Sequence, residues 1–279
     1  MYEILTKGEH PLVEKLSFYK GDTSEIYKVD DLLYKIYLKR EPFKRQILDH
    51  LIQHHDELKP FSTPPIRKLK IGDMYGMKMR YVDSVDFLTY LRSQDVPPEE
   101  MVRILNILSD NLKEINSLGI HFPDLHHHNI LIRKSDNYPL YTDLDDATVG
   151  EYPSTHICTM AHLLHNVKNK SYQYEGELIH YGNLDQECLV LMLLDYMFDR
   201  SIERLSYDEF QRKIDELQPY FESDFLQIAS QIKDHDDNQI VNPYPYYLGD
   251  YMTEPSFIQA VQKVKRRNEH ANSNISTNK

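Results

Sequence analysis

The sequence contains no tryptophan, only two cysteines and nine glycines, and no apolar run near the ~20 residues needed to span a bilayer. We therefore expect no membrane insertion, and the polar N-terminal segment MYEILTKGEH predicts no secretory signal. Cys158 and Cys188 cannot build a disulfide framework and lack metal-ligand spacing. They predict small core residues in a reducing, cytoplasmic environment.

Positive charge is also scarce, because 44 acidic side chains outnumber 32 lysines and arginines and leave a formal net charge of −12. We expect no nucleic-acid partner, since such a chain repels polyphosphate on average. A local phosphate-binding cleft needs only a few well-placed cations, so this charge does not exclude one.

The first 80 or so residues are dense in β-branched and aromatic side chains and predict strands around one helix. Residues 25–38 (EIYKVDDLLYKIYL) predict two strands joined by a tight turn at Asp30-Asp31. Pro42 suits the first position of a helix, whose apolar stripe includes Leu48. Residues 74–82 (MYGMKMRYV) predict a further strand.

The rest of the chain predicts mostly helices. Apolar side chains recur at helical spacing over residues 97–119, and Gly119 ends that helix. The segment SYDE at Ser206 has the capping-box pattern, and another helix is expected over about 157–167. Residues 242–247 (NPYPYY) predict a loop. Strands followed by helices indicate an α+β fold.

The candidate catalytic and metal-binding residues lie in two stretches. The first is HFPDLHHHNILI, which contains Asp124 and Asn129, and the second is YTDLDDA, which contains Asp143. Phosphoryl transfer needs a positioned hydroxyl and positive charge near the phosphates. Asp124 can orient the hydroxyl or accept its proton, whereas Asn129 and Asp143 offer the hard oxygen ligands that Mg²⁺ prefers. Lys35, in the strand LLYKIYL, can neutralise nucleotide phosphates.

These stretches resemble the catalytic and metal-binding loops of the protein-kinase-like superfamily, in the expected order after a long helix. The resemblance covers most of the chain, and the layout is similar to bacterial Ser/Thr protein-kinase-like proteins. It implies a two-lobed α+β fold that binds ATP and Mg²⁺. The expected parts are a β-rich N-lobe (1–82), a helical C-lobe (83–267) and a disordered polar tail (268–279).

The resemblance also implies roles for individual residues. Asp124 matches the catalytic carboxylate, and Asn129 and Asp143 match the metal ligands. Lys35 matches the lysine that contacts the nucleotide phosphates. Gly21 occupies the position of the phosphate-covering loop.

The adenine is expected at a hinge over residues 79–83, which includes Met79 and Tyr81. In the resembled family this segment receives the base through backbone groups that are free for hydrogen bonding. We therefore expect Met79 and Tyr81 to bind the cofactor.

Several departures bear on the phosphate acceptor. Phe122 and Pro123 stand where protein kinases usually carry histidine and arginine. The spellings Asp-Leu-His, which ends at His126, and Asp-Leu-Asp, which ends at Asp145, are similar to aminoglycoside and choline phosphotransferases. We expect His126 to donate to the transferring phosphate, and Asp145 to be either a solvated turn residue or an extra metal contact. Adjacent histidines cannot converge on one zinc ion.

The glutamate expected to pair with Lys35 cannot be placed. Glu41 is the nearest candidate, but Pro42 puts it at the helix start, and Lys44 and Gln46 occupy the better register. We favour an active kinase for protein Ser/Thr hydroxyls. The alternatives are a small-molecule hydroxyl kinase and a nucleotide-binding pseudokinase that acts as an interaction scaffold.

Overall fold

The computed structural model describes residues 2–4, 23–41, 43–93, 95–122, 125–150, 152, 184–198, 202, 205–231 and 248–276. It contains both β-sheet and α-helix, as the sequence predicts. The chain divides into two compact units. The sheet unit comprises Met1–Tyr90, Ser117–Phe122 and His128–His156, and the helical unit comprises Leu91–Asn116, Pro123–His127 and Ile157–Lys279.

The sheet unit is built on a five-stranded sheet. Its strands are β1 (Tyr2–Ile4), β2 (Ser24–Val29), β3 (Leu32–Tyr37), β4 (Pro65–Ile71) and β5 (Met74–Arg80). They lie in the order β1-β4-β5-β3-β2, with β1 parallel to β4 and the other neighbours antiparallel. The predicted hairpin of β2 and β3 is confirmed, and Asp30 at its turn has a φ of 54°.

Helix α1 (Lys44–Gln53) covers one face of this sheet and is followed by the short α2 (His55–Leu58). Leu48 of α1 packs with Tyr37, Met77 and Met79 in one core cluster. Burying a leucine of this kind contributes about 1.5–3 kcal/mol. The helix predicted after Pro42 is therefore present, although Pro42 itself lies outside the described residues.

Two small sheets carry the motif stretches. In the first, β6 (Ser84–Asp86), β8 (Ile130–Arg133) and β9 (Pro139–Tyr141) pair antiparallel in that order. In the second, β7 (Ile120–His121) pairs with β10 (Thr148–Val149). The segments before and after the β8–β9 hairpin are thereby held side by side.

The helical unit begins in α3 (Phe87–Ser93) and contains most of α4 (Pro98–Ser117). The apolar stripe of α4 is buried as predicted, and Gly119 beyond its end has a φ of 72°. Ser206 and Glu209 form the predicted capping box. The other helices are α5 (Leu184–Phe198), α6 (Tyr207–Asp215), α7 (Ser223–Gln231), α8 (Gly249–Met252) and α9 (Pro255–Ser276).

Polar and aromatic contacts hold this unit together. The Ser109 hydroxyl on α4 donates to Gln186 on α5 at 3.0 Å and accepts from the Gly249 N–H at 2.8 Å. Phe221 and Phe257 pack at a ring separation of 5.1 Å. Such buried contacts between distant segments fix the packing of the helices around one core.

Several sequence predictions have specific outcomes here. Cys188 is fully buried, as predicted. Helix α9 runs to Ser276 and so includes residues 268–276, where the sequence predicts a disordered tail. Cys158 and the segments 157–167 and 242–247 lie outside the described residues. No helix in the described parts of the chain is long and apolar enough to cross a membrane.

Candidate functional site

Lys35 lies in the middle of β3 on the face that α1 covers, with Leu33 and Tyr37 on either side of it in the two-residue alternation of the strand. The residue is only 4% exposed. An ammonium group buried at such a position needs opposite charge nearby, because desolvation of an unpaired charge is costly. Gly76 on β5 allows the close strand pairing here, since an added Cβ would collide with the Lys35 carbonyl oxygen.

The stretch after β9 supplies that opposite charge. Asp143 adopts a left-handed conformation, with φ 56° and ψ 37°, which aspartate tolerates better than most residues. A single 3₁₀ turn, Leu144–Asp146, follows, and the Asp146 N–H donates to the Asp143 carbonyl at 3.1 Å. This turn packs against α1.

Three carboxylates of this turn surround the Lys35 amine. Nζ of Lys35 lies 2.9 Å from Asp145 Oδ1, 3.4 Å from Asp143 Oδ1 and 3.9 Å from Asp146 Oδ2. We call Asp143, Asp145 and Asp146 the aspartate cluster. It joins the strand lysine to a segment 110 residues away in sequence.

A second lysine enters the same cluster from α1. Nζ of Lys44 lies 2.5 Å from Asp146 Oδ1, 3.3 Å from Asp145 Oδ2 and 2.8 Å from Glu41 Oε2. It also donates to the Asp145 carbonyl oxygen at 2.9 Å. Glu41 thus pairs with Lys44, the residue that occupies the helix register where a glutamate partner for Lys35 was sought.

Asp145 is the central anion of this arrangement. Its side chain is fully buried, so it is not the solvated turn residue that the sequence allowed. Its carboxylate accepts from Lys35, from Lys44 and from the Tyr37 hydroxyl, the last at 3.0 Å. Among the three aspartates around Lys35, Asp145 is the nearest and is its principal ion-pair partner.

The charges shift the titration of the site. Burial alone would lower the pKa of Lys35, but the three aspartates outweigh it and raise that pKa above the ordinary lysine value. The pKa of Lys44 is raised in the same way, chiefly by Asp145 and Asp146 against burial. Burial, followed by the charges of Asp145 and Asp146, raises the pKa of Asp143 despite the opposing effect of Lys35. Both lysines are therefore cationic at neutral pH.

The predicted metal ligands are neighbours across the β8–β9 hairpin. Ile130 pairs with Tyr141, and beyond this pair the Thr142 N–H donates to the Asn129 carbonyl at 3.0 Å. Asn129 therefore lies opposite the residue that precedes Asp143. About 35% of the Asp143 side chain remains exposed, so it can be reached from solvent.

Within the described ranges, no group of three or more histidine, cysteine, aspartate or glutamate side chains is arranged to hold a metal ion. This absence does not conflict with Mg²⁺, which commonly takes one or two carboxylates and completes its octahedron with phosphate oxygens and water.

The remaining predicted residues have different outcomes. Asp124 and Gly21 lie outside the described residues. His126 is half-buried and belongs to the helical unit. Met79 is buried in β5 and pairs with Leu33.

The predicted hinge is more occupied than expected. The Tyr81 N–H donates to the Asp31 carbonyl at 2.8 Å, so this backbone group is not free for an adenine. The carbonyls of Val82 and Asp83 also accept hydrogen bonds, at 3.0 Å each. One backbone donor and two backbone acceptors of the predicted hinge are therefore already engaged within the protein.

Phe122 explains one departure from the kinase pattern. Its ring is buried and stacks on Tyr141 with the ring centroids 5.2 Å apart. A hydrophobic residue at this position thus packs in the core of the sheet unit, two residues before the predicted catalytic aspartate.

Sequence reasoning missed Tyr37, Lys44 and Gly76 as parts of this site. The alternation in LLYKIY does place Tyr37 on the same face as Lys35. Nothing in the sequence pattern indicated that Lys44 would turn toward the aspartate cluster.

Comparison with known proteins adds no support to the kinase resemblance, which rests on the sequence motifs and on this geometry. No protein-family model matches the chain, and no curated protein matches it significantly.

Proposed function

We propose that this chain is an ATP- and Mg²⁺-dependent phosphotransferase of protein-kinase-like fold that acts on a hydroxyl group. The observation that carries the proposal is the approach of Lys35 to Asp143, whose Nζ and Oδ1 atoms lie 3.4 Å apart although the residues are 108 positions apart in sequence. A buried strand lysine beside a reachable aspartate supplies a cation for nucleotide phosphates and an oxygen ligand for their metal.

The charge of the site supports a divalent cation. Four carboxylates, those of Glu41 and the aspartate cluster, surround two ammonium groups, those of Lys35 and Lys44. Two negative charges are left over in a largely buried region, and one Mg²⁺ would balance them. Asp143 would bind the ion together with Asn129, and phosphate oxygens and water would complete the coordination. Bound Mg²⁺ supplies charge compensation on the phosphates.

Asp145 acts in this proposal as a positioning residue. Protein kinases orient the phosphate-binding lysine with a glutamate from a helix, whereas here α1 presents Lys44. A lysine amine held by a buried carboxylate is restricted in direction, which lowers the cost of ordering it around the phosphates. Lys35 and Asp143 are then fixed by the same turn.

The acceptor side of the reaction is assigned to Asp124 and His126 through the sequence motif. Asp124 would accept the proton of the acceptor hydroxyl, and His126 would donate to the transferring phosphate. We propose a protein serine or threonine as acceptor. The Asp-Leu-His and Asp-Leu-Asp spellings make a small-molecule hydroxyl the alternative.

The decisive experiment measures phosphate transfer from γ-labelled ATP with Mg²⁺. The acceptors are the protein itself, a generic basic protein, and a panel of aminoglycosides, choline and sugars. Asp124→Asn and Asp143→Asn are compared with Asp95→Asn, an exposed aspartate that forms no ion pair with the described residues. We expect label on protein, lost in the first two variants and retained in the third.

Each other outcome redirects the proposal. Label on a single small molecule moves the acceptor to that class. ATP binding that weakens in Lys35→Met but not in Lys59→Met, without any transfer, supports the pseudokinase scaffold instead. Absence of ATP binding to the wild-type protein overturns the proposed function.

A further inference from the structure

A pocket on the sheet unit adjoins the aspartate cluster and shares Tyr37, Lys44 and Gly76 with the site described above. Its volume is about 350 Å³, at the lower end of the 300–1,000 Å³ typical of small-molecule sites. Its walls come from β1, from the segment that links β3 to α1, from α1 itself and from the β4–β5 turn. Neither Lys35 nor Asp143 lines it.

The lining is positively charged, against the −12 charge of the whole chain. Four cationic residues line the pocket, together with two carboxylate residues, Glu41 and Asp73. The cationic residues are Lys39, Arg40, Lys44 and Arg45. A local reversal of sign in an acidic protein favours an anionic ligand at this place.

The four cationic residues differ in whether carboxylates of the protein already bind them. Lys44 is bound by Glu41 and by the aspartate cluster. Arg45 is largely exposed and its only ion pair in the described chain is with Asp49, at 4.0 Å. Lys39 and Arg40 are exposed and form no ion pair with any described residue. An incoming anion therefore meets two cations whose charge is not compensated.

Aromatic rings lie beside both arginines of the pocket, Arg40 and Arg45. The Arg40 guanidinium lies 5.4 Å from the ring centre of Tyr75, and that of Arg45 lies 5.9 Å from the ring centre of Tyr2. The two tyrosines pack edge to face at 5.6 Å. Cation–π contacts of this kind hold a guanidinium in place while leaving its N–H groups able to bind an anion.

The same pocket has an apolar part. Leu38 and Met74 both line it and are unusually exposed for their type, at 44% and 43%. Together with Tyr2 and Tyr75, they give the ligand a hydrophobic surface next to the cations. Exposed apolar side chains beside a concave surface mark a binding site more often than scattered ones do.

We propose that this pocket binds a small anionic ligand that carries an apolar ring, held by Lys39 and Arg40 at its phosphate or carboxylate group. The ring would lie against the tyrosines and Met74. Arg40 suits such a group because its planar guanidinium can donate two parallel hydrogen bonds. The site does not depend on the proposed kinase activity.

The test uses four probes in isothermal titration calorimetry without nucleotide or metal. Phenyl phosphate and benzoate share the ring and differ in the anion, whereas inorganic phosphate lacks the ring and benzyl alcohol lacks the charge. We expect saturable binding of phenyl phosphate or benzoate, and weaker binding of both incomplete probes by about fivefold or more, as loss of one charged or apolar contact costs about 1 kcal/mol. The tighter of the two anions identifies the head group.

Variants locate the binding. Arg40→Gln and Lys39→Gln should each weaken binding of the tighter probe by about tenfold, because each removes a cationic hydrogen-bond donor to the anion. Arg67→Gln, an exposed β4 arginine outside the pocket, should change it less than about twofold. Lys35→Met should leave binding intact.

Three results would overturn the proposal. One is the absence of saturable binding by either ring-bearing anion. Another is equal binding to wild type, Arg40→Gln and Lys39→Gln. The third is binding that is lost in Lys35→Met and retained in Arg40→Gln, which would place the anion at the proposed nucleotide site.

Discussion

The buried carboxylate of Asp145 accepts a hydrogen bond from the Lys35 amine at 2.9 Å. This contact connects the middle of a sheet strand to the turn that carries Asp143. The neighbouring helix α1 contributes a second cation, Lys44, and the turn contributes the carboxylates that bind both lysines. Substitutions at this site should therefore distinguish residues that stabilise it from residues that are kept for binding.

Asp145→Asn should destabilise the protein strongly. The substitution leaves the buried amines of Lys35 and Lys44 without their shared counter-ion, and breaking a buried ion pair costs about 3–5 kcal/mol. Urea unfolding followed by circular dichroism measures the loss. ATP affinity should fall as well, since Lys35 loses the partner that orients it. An unfolding midpoint equal to that of the wild type would contradict the central role of Asp145.

Tyr37→Phe is the mild counterpart of that substitution. It removes only the hydroxyl that donates to Asp145 at 3.0 Å and leaves the ring packing in place. The expected cost is about 1.5–3 kcal/mol, the usual net value of a hydrogen bond to a charged group. If Asp145→Asn is too unstable to purify, this variant still tests whether the carboxylate needs its full set of donors.

Asp143→Asn should stabilise the folded protein slightly, in contrast to Asp145→Asn. Because the pKa of the Asp143 carboxyl is raised in the folded protein, its ionised form opposes folding at pH values above the unfolded-state pKa. Replacing it by a neutral amide should therefore raise the unfolding midpoint slightly at pH 7 in the absence of Mg²⁺. The same variant should lose the stabilisation that Mg²⁺ and ATP give to the wild type. Thermal unfolding with and without both ligands measures the two effects, and a lowered midpoint without ligands would contradict the prediction.

Gly76→Ala should disturb the site through the backbone. The added methyl group would collide with the Lys35 carbonyl oxygen and approach the Ile36 side chain at 3.0 Å, so β3 and β5 must move apart. Overpacking of this kind costs about 1–3 kcal/mol. Gly72→Ala is the comparison, because its Cβ would meet open space, although φ is +58° there. We expect the larger loss of stability and ATP affinity for Gly76→Ala, measured by chemical unfolding and calorimetry.

Local patterns were sufficient to predict the main elements of the fold. The β2–β3 hairpin followed from two β-rich runs separated by Asp30-Asp31, and α4 followed from apolar residues at helical spacing. The capping box at Ser206 was recognised from four residues. In each case the signal lies within a few neighbouring positions, which is where propensity and periodicity act.

The charge network could not be predicted in the same way. The bonds from Asp145 to Lys35 and Lys44 join residues 110 and 101 positions apart, and no local pattern specifies such pairings. Asp145 and Asp146 look alike in sequence, yet Asp145 is fully buried whereas the Asp146 side chain is 17% exposed. Adjacent residues of a turn face different surroundings, and the sequence does not indicate which of the two faces the core.

Glu187 should make the stability of the protein fall as pH rises. It is buried in α5, and burial, followed by the charge of Asp185, raises its pKa from 4.5 to about 8. The folded state thus keeps a proton that the unfolded chain releases above pH 4.5. The free energy of unfolding should then decrease between about pH 5 and pH 8, by up to about 1.4 kcal/mol per pH unit from this group.

Glu187→Gln should remove that contribution, so its stability advantage over the wild type should grow with pH across this window. Urea unfolding at pH 5, 6, 7 and 8 measures the difference, and Glu222→Gln, at an exposed position, is the control that should show no trend. An advantage that stays constant with pH would show that Glu187 is already ionised in the folded protein.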